Sequence, residues 1–364
     1  MLRPRALRDA MDAVYEPGHR ALQPAERAKD RERLVAAENL AIEAAVRRQE
    51  DIGLDVVSDG EFRRYMFLNS FWDAVEGFST DKNPVQFRNA AGETVTWHVQ
   101  RIESRLRQVD SPAAREAAFL KSTTTRPFKV TFPAASLFTH PATWKPGVTD
   151  AAYGSLEELV AHAIEIERGL VADAVRAGAG YVQFDFPLYP YLADPTWREQ
   201  FAACGHDLET LLDAAVAADM AVLEGIPDDV KTALHICRGN YRSRWLCDGS
   251  LEPVAERMFG ELPYDTFLVE WDDIGRDGGY APVRHVPPGR TMVLGLISTK
   301  TARVESVDDI VRRTEEASAY LPLGQLAVSP QCGFASVVEG NEITEDVQWR
   351  KLELVTTVAD RLWG

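Results

Sequence analysis

"SLEELVAHAIEIERGLVADAVRAGAG" spans residues 155–180 and runs directly into "YVQFDFP" at 181–187. The first stretch spaces its apolar residues as one face of a helix does. Ser155 and Glu158 fit a capping box at its start, and Gly178 and Gly180 fit a stop. The second stretch is short, apolar and aromatic, as a buried strand is. A helix that ends on glycine and passes straight into a buried strand belongs to a strand–helix–strand unit. Such units imply parallel strands joined by right-handed crossovers.

The same alternation continues along the chain. Strand-like runs occur at "LDVVSD" (54–59), "FKVTFPAAS" (128–136), "TALHIC" (232–237), "TFLVEWD" (266–272), "TMVLGLIS" (291–298) and "QLAVSPQC" (325–332). Amphipathic stretches precede most of them, among them "ERLVAAENLAIEAAVRRQEDIG" and "DLETLLDAAVAADMAVLEGI", and "TEDVQWRKLELVTTVADRLWG" closes the chain. Seven strands in this rhythm predict an α/β fold, a (β/α)8 barrel of the TIM type with its first strand missing or displaced. No Gly-x-Gly-x-x-Gly follows an early strand, so an open dinucleotide-binding sheet is not supported. The segment from Val75 to about Thr125 breaks the rhythm with turns and a hairpin pattern. It reads as an insertion after an early strand (75–127), a lid or wall, within a single domain covering 1–364.

Composition narrows the function. The chain has 364 residues, 45% apolar and 26% charged, with a formal net charge of −16. An acidic surface disfavours nucleic acid. No run of 18 apolar residues exists, and the start lacks the apolar core of a signal peptide, so neither a membrane span nor export is expected. The four cysteines, Cys204, Cys237, Cys247 and Cys332, are too few for a disulfide framework and suit a reducing cytoplasm.

Barrel chemistry sits at the C-terminal ends of the strands. Those ends here carry Asp59 and Glu61 in "SDGEFRR", Asp185 in "FDFP", His235 and Cys237 in "HICRGN", Glu270 in "VEWDD", Lys300 after "GLIST" and Cys332 in "SPQCGF". His235 and Cys237 are two apart on a strand and so share a face. One imidazole, two thiols and a carboxylate, His235, Cys237, Cys332 and Glu270, suit Zn²⁺ at a catalytic site assembled by the fold. Arg63 and Arg64 are candidates for an anionic group or for local ion pairs. Cys204 and Cys247 lie off the strand ends and read as structural; His98, His140, His162, His206 and His285 read as surface or packing residues.

The strings "LDVVSDGEFRR", "HICRGN", "VEWD" and "SPQCGF", in this order and spacing, resemble the cobalamin-independent methionine synthases, and more closely their single-barrel branch. The resemblance covers nearly the whole chain. It implies zinc on His235, Cys237, Glu270 and Cys332, activating a thiol substrate as thiolate for alkyl transfer. It also implies that Glu61 and Asp185 hold the amino group of homocysteine; Asp59 and Arg63 are further substrate-binding candidates, and Lys300 and Asp185 the catalytic ones. The expected reaction is methyl transfer to homocysteine, giving methionine, from a methylated folate or from a methylated corrinoid on a partner protein. The other readings are epoxide opening by a thiol such as coenzyme M, and a zinc- or thiol-binding barrel without turnover. A homodimer is a further expectation.

The chain departs from the family at three places. Lys300 stands where methionine synthases have a histidine, and is expected either to donate a proton or, preferably, to anchor an anion. Phe186 replaces an acid after Asp185. The strand ending in Gly-Ser that relatives carry just before this point does not precede "MLRPR".

Overall fold

The structure is a computed structural model describing residues 1–15 and 28–364. Its centre is a parallel six-stranded sheet in sequential order. Two strands precede it in the chain, β1 (Val75–Arg88) and β2 (Thr94–Gln108). The sheet itself comprises β3 (Val130–Pro133), β4 (Tyr181–Asp185), β5 (Lys231–Ile236), β6 (Thr266–Glu270), β7 (Thr291–Ile297) and β8 (Leu326–Pro330). Pairing is in register from Val130–Val182 through to Leu294–Val328, with an irregularity only at the end of β7. These strands are buried on both faces, which is why they read as near-continuous apolar runs.

The run at 54–59 contributes one parallel bridge, Val57 with Phe128, rather than a strand. Val57 N–H donates to the Pro127 carbonyl at 3.0 Å and its carbonyl accepts from Lys129 at 3.1 Å. It therefore holds the stave position before β3. Among the described residues no strand lies between Val57 and β8. Residues 1–4 are irregular and Arg5–Asp12 is helical, so among the described residues no strand precedes the Val57 bridge in the barrel.

Local signals behave as expected. Ser155 caps the helix Leu156–Ala177 by accepting from Glu158 N, and Gly178 ends it at φ 117°. The "PLYPY" aromatics pack: Tyr189 donates to Asp219 at 2.9 Å, and Tyr191 lies edge-on to His140 and Trp197. His162 is bonded to Tyr153 and His206 is exposed. The His98 side chain lies outside the described residues.

The segment after the Val57 bridge forms an antiparallel hairpin of β1 and β2. Arg88, on its distal part, exchanges two backbone hydrogen bonds of 2.8 Å with Trp245, in the loop after β5. The hairpin therefore reaches the C-terminal mouth of the barrel, where Phe87 meets Tyr241 with ring centroids 5.5 Å apart.

Candidate active site

Strand β5 brings His235 and Cys237 to the mouth, and the turn after β8 brings Cys332. Their ligand atoms lie within 4.8 Å of one another. His235 Nε2 is 3.3 Å from Cys332 Sγ, and the two sulfurs are 3.2 Å apart. His235 Nδ1 faces the Leu268 carbonyl at 3.2 Å, which fixes the ring and aims Nε2 at the cluster. Gly239 N–H donates to Cys237 Sγ at 3.1 Å. Gly239 has φ 92°, and a Cβ there would meet Leu246 and Phe87 at 2.8 Å, so only glycine lets the chain turn this tightly beside the sulfur. On the Cys332 side, Thr299 N and Oγ1 each donate to Gln331 Oε1 at 2.7 Å. Asn240 donates to the Gly333 carbonyl at 2.7 Å. These bonds tie the loops after β5, β7 and β8 together around the cluster.

The three groups form an electrostatic unit. The Cys237 thiol donating to Cys332, together with the His235 imidazolium, outweighs burial and holds Cys332 at about 5. Burial disfavours a charged His235, but the Cys332 thiolate raises it to about 9. The same hydrogen bond, then burial, pushes the Cys237 thiol well up. A metal that binds here must displace the protons of His235 and Cys237, whereas Cys332 is already a thiolate. Zinc binding at pH 7 should therefore release about two protons per ion, and affinity should climb with pH, less steeply above the His235 value of about 9 but still rising while Cys237 holds its proton. Calorimetry in buffers of different ionisation enthalpy counts those protons. A count near zero would show that this protonation pattern is wrong.

Glu270 does not join the cluster. It is fully buried, and its oxygens are occupied: Oε1 accepts from Lys300 Nζ at 2.7 Å and from Arg276 at 2.8 Å, and Oε2 from Arg238 N at 2.8 Å. In this arrangement the carboxylate stands outside the three gathered groups, held by two cations. Lys300 is buried as well; burial works against its charge, but Glu270 and Asp272 raise its proton affinity. Its ammonium is engaged with the protein and is not among the cavity-lining groups. Arg238 pairs with buried Asp277 at 3.2 Å.

The cluster opens into a cavity of about 750 Å³ whose wall includes Asp59, Glu61, Arg64, Lys129, Asp185 and Phe186. Glu61 sits at φ 57° and Phe186 at φ 63°, left-handed conformations that cost non-glycine residues about 1–3 kcal/mol each. Buried Arg3 steadies the first of these turns by donating to the Glu61 carbonyl at 2.9 Å. Glu61 accepts from Thr131 at 2.5 Å and from Arg64 at 3.2 Å. Burial pushes its carboxyl up, but Arg64 prevails and the net shift is downward. Burial raises Asp59 and Asp185 to about 6 each. Asp59 Oδ1 accepts from Glu61 N at 2.8 Å, and Oδ2 is buried with no partner among the described residues.

Arg63 stands apart from these groups. It turns away from the cavity to Glu38 at 3.0 Å and Asn39 at 2.7 Å and stacks over Phe119. The next residue, Arg64, enters instead, clamped by both oxygens of Glu116 at 2.9 and 2.6 Å. Adjacent residues in a turn point in different directions, and the sequence alone did not say which arginine faces in. Sequence reasoning also passed over Lys129, Thr131 and Gln183. Lys129, just before β3, and Thr131 on it, with Gln183 on β4, share the inward face by strand alternation, and that periodicity was the available signal.

A parallel barrel with two thiols and an imidazole at its C-terminal mouth, open to a carboxylate-lined cavity, has the architecture of a barrel enzyme. The chain belongs to the cobalamin-independent synthase family: the profile described as "Cobalamin-independent synthase, Catalytic domain" matches residues 19–349. It is 34% identical over 338 residues to the uncharacterized protein YxjH of Bacillus subtilis, covering 91% of this chain and 87% of that one. It is 24% identical over 295 residues to the 5-methyltetrahydropteroyltriglutamate–homocysteine methyltransferase of Flavobacterium johnsoniae, covering 80% of this chain but 34% of the relative. Among solved structures, the putative vitamin-B12-independent methionine synthase of Listeria monocytogenes matches 100% of this chain and 96% of its own, at 27% identity and a TM-score of 0.71. No helix among the described residues is long and apolar enough to cross a membrane.

Proposed function

We propose that this protein transfers a methyl group to the thiol of homocysteine, giving methionine, at a zinc site formed by His235, Cys237 and Cys332. The observation that carries the reading is the sulfur-rich donor set facing the cavity beside Glu61 and Asp185. Two thiols and an imidazole within 4.8 Å suit zinc, which takes sulfur at about 2.3 Å and nitrogen at about 2.0–2.1 Å. Three protein donors with an open fourth position are the pattern of a catalytic rather than a structural site. Zinc there would supply the Lewis acidity that ionises a thiol whose ordinary pKa is about 8.5.

The protein's own groups do the rest. Glu61, kept ionised by Arg64, and Asp185 bind the substrate ammonium and orient the sulfur toward the donor set. Phe67 and Phe186, edge to face at 5.9 Å, and the Phe87–Tyr241 pair make an aromatic rim suited to a flat donor such as a pterin. The β1–β2 hairpin, through Phe87, forms one wall of that rim. The names of the related enzymes favour a folate donor. A corrinoid-protein partner and a homodimer draw no support from the site or the relatives. The coenzyme M reading leaves Glu61 and Asp185 facing a thiol that carries no ammonium for them to hold.

The test is to incubate zinc-loaded protein with homocysteine and methyltetrahydrofolate carrying one or three glutamates, and in parallel with methylcobalamin, and to measure methionine by mass spectrometry. Zinc-dependent methionine from the folate donor is expected. No methionine from any donor, with zinc present at one per chain, would refute the proposal.

A further inference from the structure

The cavity has carboxylates and sulfur in plenty, but few positive groups with donors to spare. Arg64 is spent on Glu116, Glu61, Thr131 and the Phe67 carbonyl. Lys300 and Arg276 are committed to Glu270, and Arg63 to Glu38 and Asn39. The Met1 amine also lines the wall and donates to the Gly60 carbonyl at 2.8 Å, and burial weakens its hold on its proton.

Lys129 is different. It stands just before β3, its backbone tied to Val57, and its side chain lines the cavity. Among the described residues its ammonium makes one hydrogen bond, 2.8 Å to Gln183 Oε1. An ammonium has three N–H donors, so two remain for a ligand. Gln183 passes the chain on, donating from Nε2 to Asp185 Oδ1 at 2.6 Å. The lysine and the carboxylate assigned to the substrate ammonium are thus bridged by a single side chain. Burial weakens Lys129's hold on its proton, and the fields of Asp185, Glu61 and Cys332 oppose that loss, so the cation lies within electrostatic reach of each working part of the site.

We infer that Lys129 is the anion subsite of this cavity and binds the carboxylate of an amino-acid thiol, an inference that rests on the thiol-substrate reading above. Such a substrate presents three groups. Its sulfur has the donor set and its ammonium has Glu61 and Asp185. Its carboxylate, desolvated in the cavity, would be costly to leave unpaired. Lys129 is the cavity-lining side-chain cation with unfilled donors, and it can pair with the carboxylate without breaking an existing ion pair. The cavity then selects a zwitterion: acids for one end, a lysine for the other, with sulfur as the third point.

The test compares homocysteine with 3-aminopropane-1-thiol, which is homocysteine without its carboxylate. Binding of each to the zinc-loaded protein is measured by calorimetry, independently of turnover. Wild-type protein should prefer homocysteine by about tenfold or more, the scale of a charge-assisted hydrogen bond. Lys129→Met should erase the preference by weakening homocysteine alone, and Lys129→Arg should restore part of it. Equal binding of the two thiols by the wild type overturns the inference while leaving the thiol-substrate reading intact, and needs no variant to fold. An equal loss for both thiols in Lys129→Met also overturns it, because the lysine would then only balance Asp185 and Glu61. Failure of the wild type to bind either thiol, with zinc in place, overturns both readings together.

Discussion

Cys332→Ser should bind zinc more than about 100-fold more weakly than the wild type, and Cys237→Ser should do nearly the same. Serine is close in size to cysteine, but its hydroxyl is a far poorer zinc ligand than a thiolate. The fall should exceed the 10–100-fold typical of losing a residue that only supports a ligand. With Glu270 held by Lys300 and Arg276, no carboxylate among the three gathered groups can take the vacated place. Cys332 should suffer more, because it is the thiolate on which the Cys237 thiol and the His235 imidazolium both converge. Competition against a chromophoric chelator gives the affinities, and cobalt substitution gives a second readout through its sulfur charge-transfer absorption. Cys204→Ser, at an exposed position, is the control and should match the wild type. Wild-type zinc affinity in Cys332→Ser would end the proposed donor set.

The barrel was legible because strand and helix periods are local properties of the sequence. "YVQFDFP" is buried on both faces and its helix ends on glycine, so the alternation could be read without tertiary information. The run at 54–59 was over-read as a strand: its apolar residues are real, but with no neighbour between it and β8 only the Val57 bridge forms. At the site, His235, Cys237 and Cys332 were legible as strand-end residues. Glu270 was legible as the end of β6, but its ion pairs were not, because they depend on long side chains arriving from elsewhere. Arg276 and Lys300 come from the loops after β6 and β7, and nothing local in "VEWDD" announces them. Lys129 was missed for a related reason: a lysine beside a β-branched run reads as a solvent-facing strand end unless the inward register is known.

Lys300→Met should destabilise the metal-free protein by about 2–4 kcal/mol, slightly less than the 3–5 kcal/mol typical of breaking a buried ion pair. Lys300 and Glu270 are both buried, and their charged atoms are 2.7 Å apart. The surrounding network is balanced, with Glu270, Asp272 and Asp277 against Lys300, Arg276 and Arg238. Removing the lysine leaves one buried negative charge in excess; Arg276 still reaches Glu270, which keeps the cost below the full value. Glu270→Gln in the same chain should recover most of the loss by removing that excess charge. Denaturant unfolding in the presence of a chelator measures this without the stabilisation that bound metal would add. The anion that Lys300 anchors is then the protein's own Glu270, which explains why a lysine can stand here without lowering its pKa to donate a proton. A freed Glu270 could also swing toward the donor set, so Lys300→Met should bind zinc at least as tightly as the wild type but thiols about tenfold more weakly, by competition for the fourth position. Unchanged stability together with a loss confined to kcat would instead assign the lysine to proton transfer and remove the holding role argued from its ion pair.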